Sequence, residues 1–224
     1  MARETKLLIT IDGPAGAGKT TVSRRLADRL GYRYVDTGAL YRGVAYAAHT
    51  RGVPPADDAA LEGMLAALEL RLEAGSRLLL DGEEITDRIR TPQVSMLAST
   101  VSARPCVRRF LLNVQQELGR EKAVVFEGRD MGTVVFPEAD LKFFLSASEE
   151  TRAKRRFAEL HGRGSARLEE VLQDMRRRDA QDSTRDLAPL KPAADAIRID
   201  SSELTIEQVV ALMLDHARTR LASA

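Results

Sequence analysis

The sequence has little of the material that several classes of protein require. Cys106 is its only cysteine, which excludes an intramolecular disulfide and any metal site built from several cysteines. It has no tryptophan and 4% aromatic residues, which argues against a base-stacking surface for single-stranded nucleic acid. A formal net charge of +1 gives the whole molecule no field that attracts polyanions. We therefore expect no nucleic acid and no membrane among its partners.

Long apolar runs are also missing. No stretch approaches the roughly 20 residues of a transmembrane helix, and residues 1–6 lead straight into a candidate strand, so we expect no signal peptide. The 224 residues, 44% hydrophobic and 30% charged, suffice for one good core with small insertions. We expect a cytoplasmic protein and a monomer.

The strongest motif is a glycine-rich phosphate-binding loop (P-loop). The pattern G-x-x-x-x-G-K-[ST] is matched in full by Gly13, Pro14, Ala15, Gly16, Ala17, Gly18, Lys19 and Thr20. An apolar strand precedes it and an amphipathic helix follows, which is the context that the motif needs. Backbone N–H groups of the loop and of the first helical turn, which includes Thr21, can surround phosphate oxygens. Lys19 can reach the β- and γ-phosphates and the Thr20 hydroxyl can ligate Mg²⁺, so we expect a nucleoside triphosphate site.

Apolar strands alternate with helices along the rest of the chain. Candidate strands span residues 6–12, 32–36, 123–126, 141–145 and 196–200. This alternation predicts an α/β fold of the P-loop NTPase class, with a parallel sheet covered by helices on both faces. Ligands of such sheets sit at the carboxyl ends of the strands. Asp12, Asp36 and Glu127 lie at such ends and are therefore candidate site residues.

Several local patterns add detail to this architecture. Alternating leucines around a turn predict an inserted antiparallel hairpin at about residues 65–90. Thr37 is predicted to cap the helix that follows the second strand. Thr91 and Pro92 are predicted to be the cap and the first residue of a helix that ends at about residue 102, and Thr205 with Gln208 predicts a capping box for the last helix. Two very polar helices are predicted at about residues 148–161 and 165–181.

Charged residues follow two of the strands. Glu127 ends a buried strand, where a carboxylate can hold Mg²⁺ directly or through water. The next residues include Arg129 and Asp130 between two glycines, which permit close approach of a ligand to the backbone. Arg42 lies five residues into the helix after the second strand, where it either turns towards an anion bound at the helix start or stays on the surface.

Arginines concentrate in the two polar helices. They are Arg152, Arg155, Arg156, Arg176, Arg177 and Arg178, with Arg185 beyond them. Arg152 and Arg156 are i,i+4 neighbours and share a face. With Arg163 between the helices, this pattern suggests a mobile flap that places Arg152 and Arg156 on the phosphates of the nucleotide. A solvated, salt-bridged pair of helices is the alternative.

The abundance of arginines helps to identify the group that accepts the phosphoryl group. A phosphate acceptor, whose second pKa is about 6, is already an anionic nucleophile at neutral pH, so repulsion between the substrates becomes the main difficulty. Several guanidinium groups relieve that repulsion, whereas a hydroxyl acceptor calls for a carboxylate base. The arginines favour a nucleoside monophosphate acceptor. A shikimate- or gluconate-type kinase remains open. A GTPase-like switch lacks support, because the only asparagine, Asn113, precedes Val114 and no Asn-Lys-x-Asp segment exists.

With these residues assembled, the sequence resembles the bacterial cytidylate kinase, or (d)CMP kinase, family from residue 9 to about residue 210. The matching segments are residues 11–14, 36–42, 83–86, 89–91, 128–137, 178–179, 182–185 and 188–190. The resemblance implies transfer of the γ-phosphoryl group of ATP to CMP or dCMP with Mg²⁺. It also implies a core of residues 1–36, 103–150 and 169–224, a monophosphate-binding region at 37–102 and a lid at 151–168.

The resemblance further implies individual roles by matching position. Lys19, Arg129, Arg185 and Glu127 would be catalytic. Arg42, Arg129 and Arg185 would bind the acceptor phosphate. Ser99, Arg108 and Asp130 would recognise the cytosine edge. Arg178 and Asp182 would lie at the pentose. Thr37 and Glu127 would sit near the acceptor phosphate and the metal, where the family also has serine and aspartate. Thr20 and Glu127 are the implied metal-site residues.

Overall fold

Strands and helices alternate in the computed structural model, which describes residues 5–160 and 167–223. In chain order the elements are β1 (Leu8–Asp12), α1 (Lys19–Leu30), β2 (Arg33–Asp36), α2 (Thr37–Thr50), α3 (Asp58–Ala66), β3 (Leu70–Leu72), β4 (Leu78–Leu80), β5 (Glu83–Glu84), α4 (Pro92–Val101), α5 (Pro105–Gly119), β6 (Val124–Gly128), β7 (Leu141–Ser146), α6 (Glu149–Leu160), α7 (Leu168–Thr184), β8 (Ile197–Asp200) and α8 (Ile206–Ala222). The chain divides into a sheet unit, up to Arg33 and from Lys122, and a helical unit, Tyr34–Glu121.

The sheet unit is organised around β1. All five residues of β1 are buried, and β1 pairs in parallel with β6 on one side and with β7 on the other. β8 continues the sheet in parallel beside β7, and the strand order is β2-β6-β1-β7-β8. Buried strands of this kind are mostly apolar, because helices cover both faces of a parallel sheet. The predicted α/β fold class is therefore confirmed.

The helical unit has its own core. α2 packs against α4 and against the small sheet β3-β4-β5, and α3 packs against α5. The antiparallel pair β3–β4 is the hairpin that the alternating leucines predict, and β5 adds a third antiparallel strand beside β4. Gly43 permits the close approach of α2, because a Cβ atom there would lie 2.8 Å from Leu78 and 2.9 Å from Leu70. None of the described helices has the length and apolar character that spanning a lipid bilayer requires.

Helix caps follow local chemistry, with one correction. Thr91 and Thr205 cap α4 and α8 as predicted, and Thr205 forms a reciprocal capping box with Gln208. Thr37, however, is the first residue of α2 and not its cap. The Asp36 carboxylate caps α2 instead by accepting the Ala39 N–H at 3.0 Å, because Asp36 still has the extended backbone of β2.

The segment after β6 is more regular than an open loop. β6 extends one residue past Glu127, and a π-helical turn then spans Met131–Val135. π-helical turns are uncommon and occur often at functional sites. The two polar helices are present as α6 and α7, somewhat shifted from the predicted bounds, and they pack on each other. Residues 161–166, which include Arg163 and most of the predicted lid's second half, lie outside the described residues.

Candidate active site

The P-loop requires glycine for two different reasons. Gly13 has φ +150°, and a Cβ atom there would lie 2.0 Å from the Leu145 carbonyl oxygen on β7. Gly18, with φ +90°, is the N-terminal cap of α1 and has no neighbour closer than 3.8 Å to such an atom among the described residues. Gly13 therefore permits close packing on the sheet, whereas Gly18 permits the left-handed turn that aims the first N–H groups of α1 into the loop.

The side chain of Lys19 lies inside the P-loop. Its Nζ donates a hydrogen bond to the Pro14 carbonyl oxygen at 2.8 Å, and the residue is 6% exposed. Burial, together with the positive charges of Arg129 and Arg178, holds the pKa of Lys19 well below its ordinary value, although Glu127 opposes the shift. Phosphate oxygens would supply the negative charge that favours the ammonium form.

Thr20 and Glu127 join the P-loop to β6. The Thr20 hydroxyl donates to Glu127 Oε1 at 2.7 Å, and Glu127 is nearly buried. A hydroxyl and a carboxylate oxygen at this separation are the hard donors that Mg²⁺ prefers, with phosphates and water completing the shell. Among the described residues no group of three or more His, Cys, Asp or Glu forms an all-protein metal site. The residues present thus fit a Mg²⁺ ion that shares its ligands with a nucleotide.

Arg129 connects the loop after β6 with the P-loop and α7. Its Nη1 donates to the Gly13 carbonyl oxygen at 2.7 Å, and its Nε donates to Asp182 Oδ2 at 2.9 Å. Burial works against ionisation of Asp182, yet Arg129, Arg178 and Arg185 hold its pKa below the ordinary value. This carboxylate therefore keeps its charge among three guanidinium groups.

Arg185 belongs to the same cluster. Its guanidinium lies 3.9 Å from Asp130 and 3.8 Å from Asp182, and its Nε donates to the Ala188 carbonyl oxygen at 2.6 Å. Its side chain is 7% exposed, and those of Asp130 and Asp182 are 3% and 6% exposed. The structure thus brings together Lys19, Glu127, Arg129, Asp130, Arg178, Asp182 and Arg185 in the sheet unit.

Arg152 and Arg156 of α6 have different environments. Arg152 is buried and donates to the P-loop carbonyl of Ala15 at 3.1 Å, and it also pairs with Asp179 of α7. Arg156 is more exposed and pairs with Glu159 at 2.9 Å on its own helix. The structure therefore places Arg152, but not Arg156, against the P-loop.

Sequence reasoning missed a role for Arg155. Its guanidinium donates to Ser201 Oγ at 3.0 Å and to the Ser201 carbonyl oxygen at 2.7 Å, and the Ser201 hydroxyl contacts the Ala17 carbonyl oxygen at 3.2 Å. These bonds join α6, the loop after β8 and the P-loop. The contacts link positions 46 and 184 residues apart, for which the sequence carries no local signal.

In the helical unit, Asp36 and Arg42 form one group. Arg42 Nη2 donates to Asp36 Oδ2 at 2.8 Å, while Asp36 Oδ1 caps α2. Thr37 is buried at the first position of that helix. Arg42 therefore turns back towards the start of α2, the first of the two orientations that its sequence position allows. Gly38 lies beside the pair, since a Cβ atom there would be 3.1 Å from both Arg42 and Asp36.

Ser99 and Arg108 are neighbours through Ser102. Arg108 Nη1 donates to the Ser102 carbonyl oxygen at 3.2 Å, and the Ser102 hydroxyl donates to the Ser99 carbonyl oxygen at 2.8 Å. The Arg108 guanidinium also lies 5.9 Å from the centre of the Tyr41 ring, within cation–π range. Arg108 is thus linked to Ser99 through Ser102, by bonds to two backbone carbonyl oxygens.

Comparison with known proteins agrees with this geometry. The family described as cytidylate kinase matches residues 9–219. A cytidylate kinase of Geobacter sulfurreducens is 50% identical over 218 residues, covering 96% of this chain and 94% of that protein. One from Pseudomonas aeruginosa is 48% identical over 215 residues, covering 93% and 94%.

Solved structures show the same fold at much lower identity. A shikimate kinase from Acinetobacter baumannii, solved in complex with shikimate, has a TM-score of 0.50 and 19% identity, with 97% of this chain and 96% of that chain covered. The resemblance inferred from the sequence motifs is confirmed. Because the family matches nearly the whole sequence, the chain belongs to the cytidylate kinase family.

Proposed function

We propose that the protein transfers the γ-phosphoryl group of ATP to CMP or dCMP and releases ADP with CDP or dCDP. Membership of the cytidylate kinase family supports the reaction. The structural observation that carries the proposal is the guanidinium cluster beside the P-loop, in which Arg129 bonds the Gly13 carbonyl at 2.7 Å and Arg185 lies 3.8 Å from Asp182. Such a cluster suits an acceptor that is itself a phosphate.

On the donor side, the P-loop backbone and Lys19 hold the β- and γ-phosphates. The unpaired N–H groups at the start of α1 and the helix dipole favour negative charge there. Lys19 is already directed into the loop by its bond to Pro14, so little rearrangement accompanies binding. Its ammonium then stabilises the charge on the transferred group in the transition state.

On the acceptor side, Arg129 and Arg185 neutralise the attacking phosphate. Asp182 and Asp130 orient these guanidinium groups, because each arginine has a carboxylate oxygen within 3.9 Å. The cluster reduces the repulsion between the two phosphates, and positioning does most of the remaining catalytic work. By resemblance, Arg42 and Thr37 also belong to the binding of the acceptor phosphate.

Thr20 and Glu127 would hold Mg²⁺. When bound, the ion neutralises charge on the β- and γ-phosphates during transfer. The negative charge of Glu127 also favours the protonated form of Lys19, although burial and Arg129 hold the pKa of Lys19 below its ordinary value. Thr20 and Glu127 therefore act on the donor phosphates.

Base and sugar recognition is assigned by resemblance. Ser99, Arg108 and Asp130 are proposed for the cytosine edge, which presents acceptors beside an amino donor and so complements arginine and carboxylate. A wrong base would leave these polar groups unpaired, which lowers its reactivity. Arg178 and Asp182 are proposed for the pentose.

The remaining assignments concern the lid, the domain boundaries, the oligomeric state and the cellular location. Residues 151–168 are proposed as a lid over ATP, with Arg152 better placed than Arg156 because it already contacts the Ala15 carbonyl. The proposed core and monophosphate-binding region follow the boundaries given by the resemblance. A cytoplasmic monomer is proposed, and size-exclusion chromatography with light scattering tests its oligomeric state.

The decisive experiment measures ADP release with different acceptors. CMP and dCMP should give the fastest turnover, UMP and AMP less, and shikimate and gluconate none above the background ATPase rate. Omission of Mg²⁺ should abolish turnover in the CMP reaction. Turnover with a hydroxyl acceptor and none with CMP would overturn the proposal and support the alternative class of small-molecule kinase.

A further inference from the structure

Asp12 is a buried carboxylate that lies directly before the G-x-x-x-x-G-K-[ST] pattern and is not part of it. It ends β1, immediately before Gly13 of the P-loop, and it is 4% exposed. Its two oxygens accept separate backbone hydrogen bonds, Oδ1 from the Met131 N–H at 2.9 Å and Oδ2 from the Gly132 N–H at 2.8 Å. Its place at the end of a strand makes Asp12 a candidate ligand residue, but its lone pairs are directed to protein backbone.

These two bonds hold the start of the π-helical turn Met131–Val135 on β1. The turn is closely seated, because a Cβ atom on Gly132 would lie 3.0 Å from Thr10 Oγ1 and 3.2 Å from Lys142 Cδ. Hydrogen bonds to an ionised carboxylate are among the stronger kinds in proteins. The position of the turn on β1 therefore depends on Asp12.

A third hydrogen bond connects the same two segments, again with the donor in the segment after β6 and the acceptor at the end of β1. Arg129 Nη1 donates to the Gly13 carbonyl oxygen, while Asp12 accepts from Met131 and Gly132. Asp12 and Gly13, which are consecutive in the chain, thus accept hydrogen bonds from both ends of residues 129–132. Arg129 and Asp130 directly precede the turn in the chain.

We propose that Asp12 is a positioning residue, which sets the place of Arg129 and Asp130 relative to the P-loop and so aligns the acceptor with the γ-phosphate. The inference rests on the proposed function. In-line transfer tolerates little misplacement, since an error of about 1 Å can cost roughly a hundredfold in rate. Asp12 acts through the backbone of its neighbours and touches neither substrate.

The electrostatic environment of Asp12 also supports a functional role for this residue. Burial raises the pKa of Asp12 to about 6, although the N–H groups of Gly132 and Met131 oppose the shift and Asp130 adds to it. A carboxylate whose ionised form is disfavoured in the folded protein is a poor choice for stability alone. Groups of this kind concentrate at functional sites.

The test is Asp12→Asn, with Asp140→Asn as the matched control. Asparagine keeps the shape but replaces one acceptor oxygen by an amino group that faces a backbone N–H donor. Asp140 also accepts an N–H of the β1 segment, from Leu8 at 2.7 Å, but at the opposite end of the strand. Asp12→Asn should raise the KM for CMP about 10- to 100-fold and leave the KM for ATP within about threefold. Asp140→Asn should leave both within about twofold.

A second variant tests the same turn with Asp12 intact. Gly132→Ala places a methyl group against Thr10 and displaces the turn by a few tenths of an ångström, so it should raise the KM for CMP selectively as well. An equal rise in both KM values for Asp12→Asn, or an unchanged KM for CMP in either variant, overturns the inference. Absence of CMP turnover in the unmodified enzyme instead overturns the proposed function, and the two failures are thus distinguished.

Discussion

Gly13→Ala should be the most damaging single-methyl change in the P-loop. The new Cβ would lie 2.0 Å from the Leu145 carbonyl oxygen, whereas an ordinary contact is about 3.5 Å. Relief of this overlap requires the loop or β7 to move, which costs about 2 kcal/mol by analogy with overpacked cores. The backbone conformation at φ +150° adds about 2 kcal/mol for a non-glycine residue.

The sum of about 4 kcal/mol can be measured by thermal unfolding. For a chain of this size, 1 kcal/mol lowers the unfolding temperature by roughly 2–4 °C, so Gly13→Ala should lower it by roughly 8–16 °C. Displacement of the loop should also raise the KM for ATP. Circular dichroism and the coupled ADP assay provide the two measurements.

Substitutions at two other glycines distinguish the effect of backbone strain from that of a steric collision. Gly31 has φ +67°, and no atom of the described residues lies within 4 Å of the position that a Cβ would occupy, so Gly31→Ala should cost about 1.5 kcal/mol from backbone strain alone, with the KM for ATP unchanged. Gly63 lies in α3 with no positive φ and open space, and Gly63→Ala should stabilise by about 0.5–1 kcal/mol. Equal destabilisation by the changes at Gly13 and Gly31 would refute the collision with Leu145.

Three further predictions concern the proposed chemistry. Lys19→Ala should lower kcat about 10²- to 10³-fold, because the γ-phosphate charge is unmatched in the transition state. The unfolding temperature of this variant should not fall, since the substitution removes a buried cation beside Arg129 and Arg178. A large fall would indicate that Lys19 has a structural role. Arg185→Met should raise the KM for CMP about 10-fold or more and spare ATP; equal losses in steady-state assays would place Arg185 elsewhere. Arg108→Met should reduce the CMP-to-UMP ratio of kcat/KM by about 10-fold, and an unchanged ratio would remove its role in base recognition.

Local signals in the sequence predicted the architecture well. The P-loop, the Thr91 and Thr205 caps and the leucine hairpin each depend on residues close together in the chain, and the structure has all of them. The cap of α2 was misplaced by one residue because Asp36 and Thr37 are both good capping residues. Only the backbone, still extended at Asp36, distinguishes them.

Long-range contacts set the limit of prediction for the site. Asp12 bonds residues 119 and 120 positions away, and Arg155 reaches Ser201 across 46 positions. No periodicity or motif encodes such pairs, because they arise from the packing of segments that the sheet brings together. Arg152 and Arg156, which share a helical face, have different environments for the same reason: Arg152 bonds the P-loop carbonyl of Ala15 and Asp179 of α7, whereas Arg156 pairs with Glu159 on its own helix.

The positive charge around Lys19 has a consequence for the unliganded protein. The positive charges of Arg129 and Arg178 disfavour the ammonium form of the buried Lys19, and the negative charge of Glu127 opposes this effect. Any polyanion that fits, whether substrate, product or inorganic tripolyphosphate, offsets these positive charges and adds to the resistance of the chain to heat. The free energy of unfolding should therefore be higher for the nucleotide-bound protein than for the unliganded protein. The lifetime of the protein should rise with the concentration of nucleotide for the same reason.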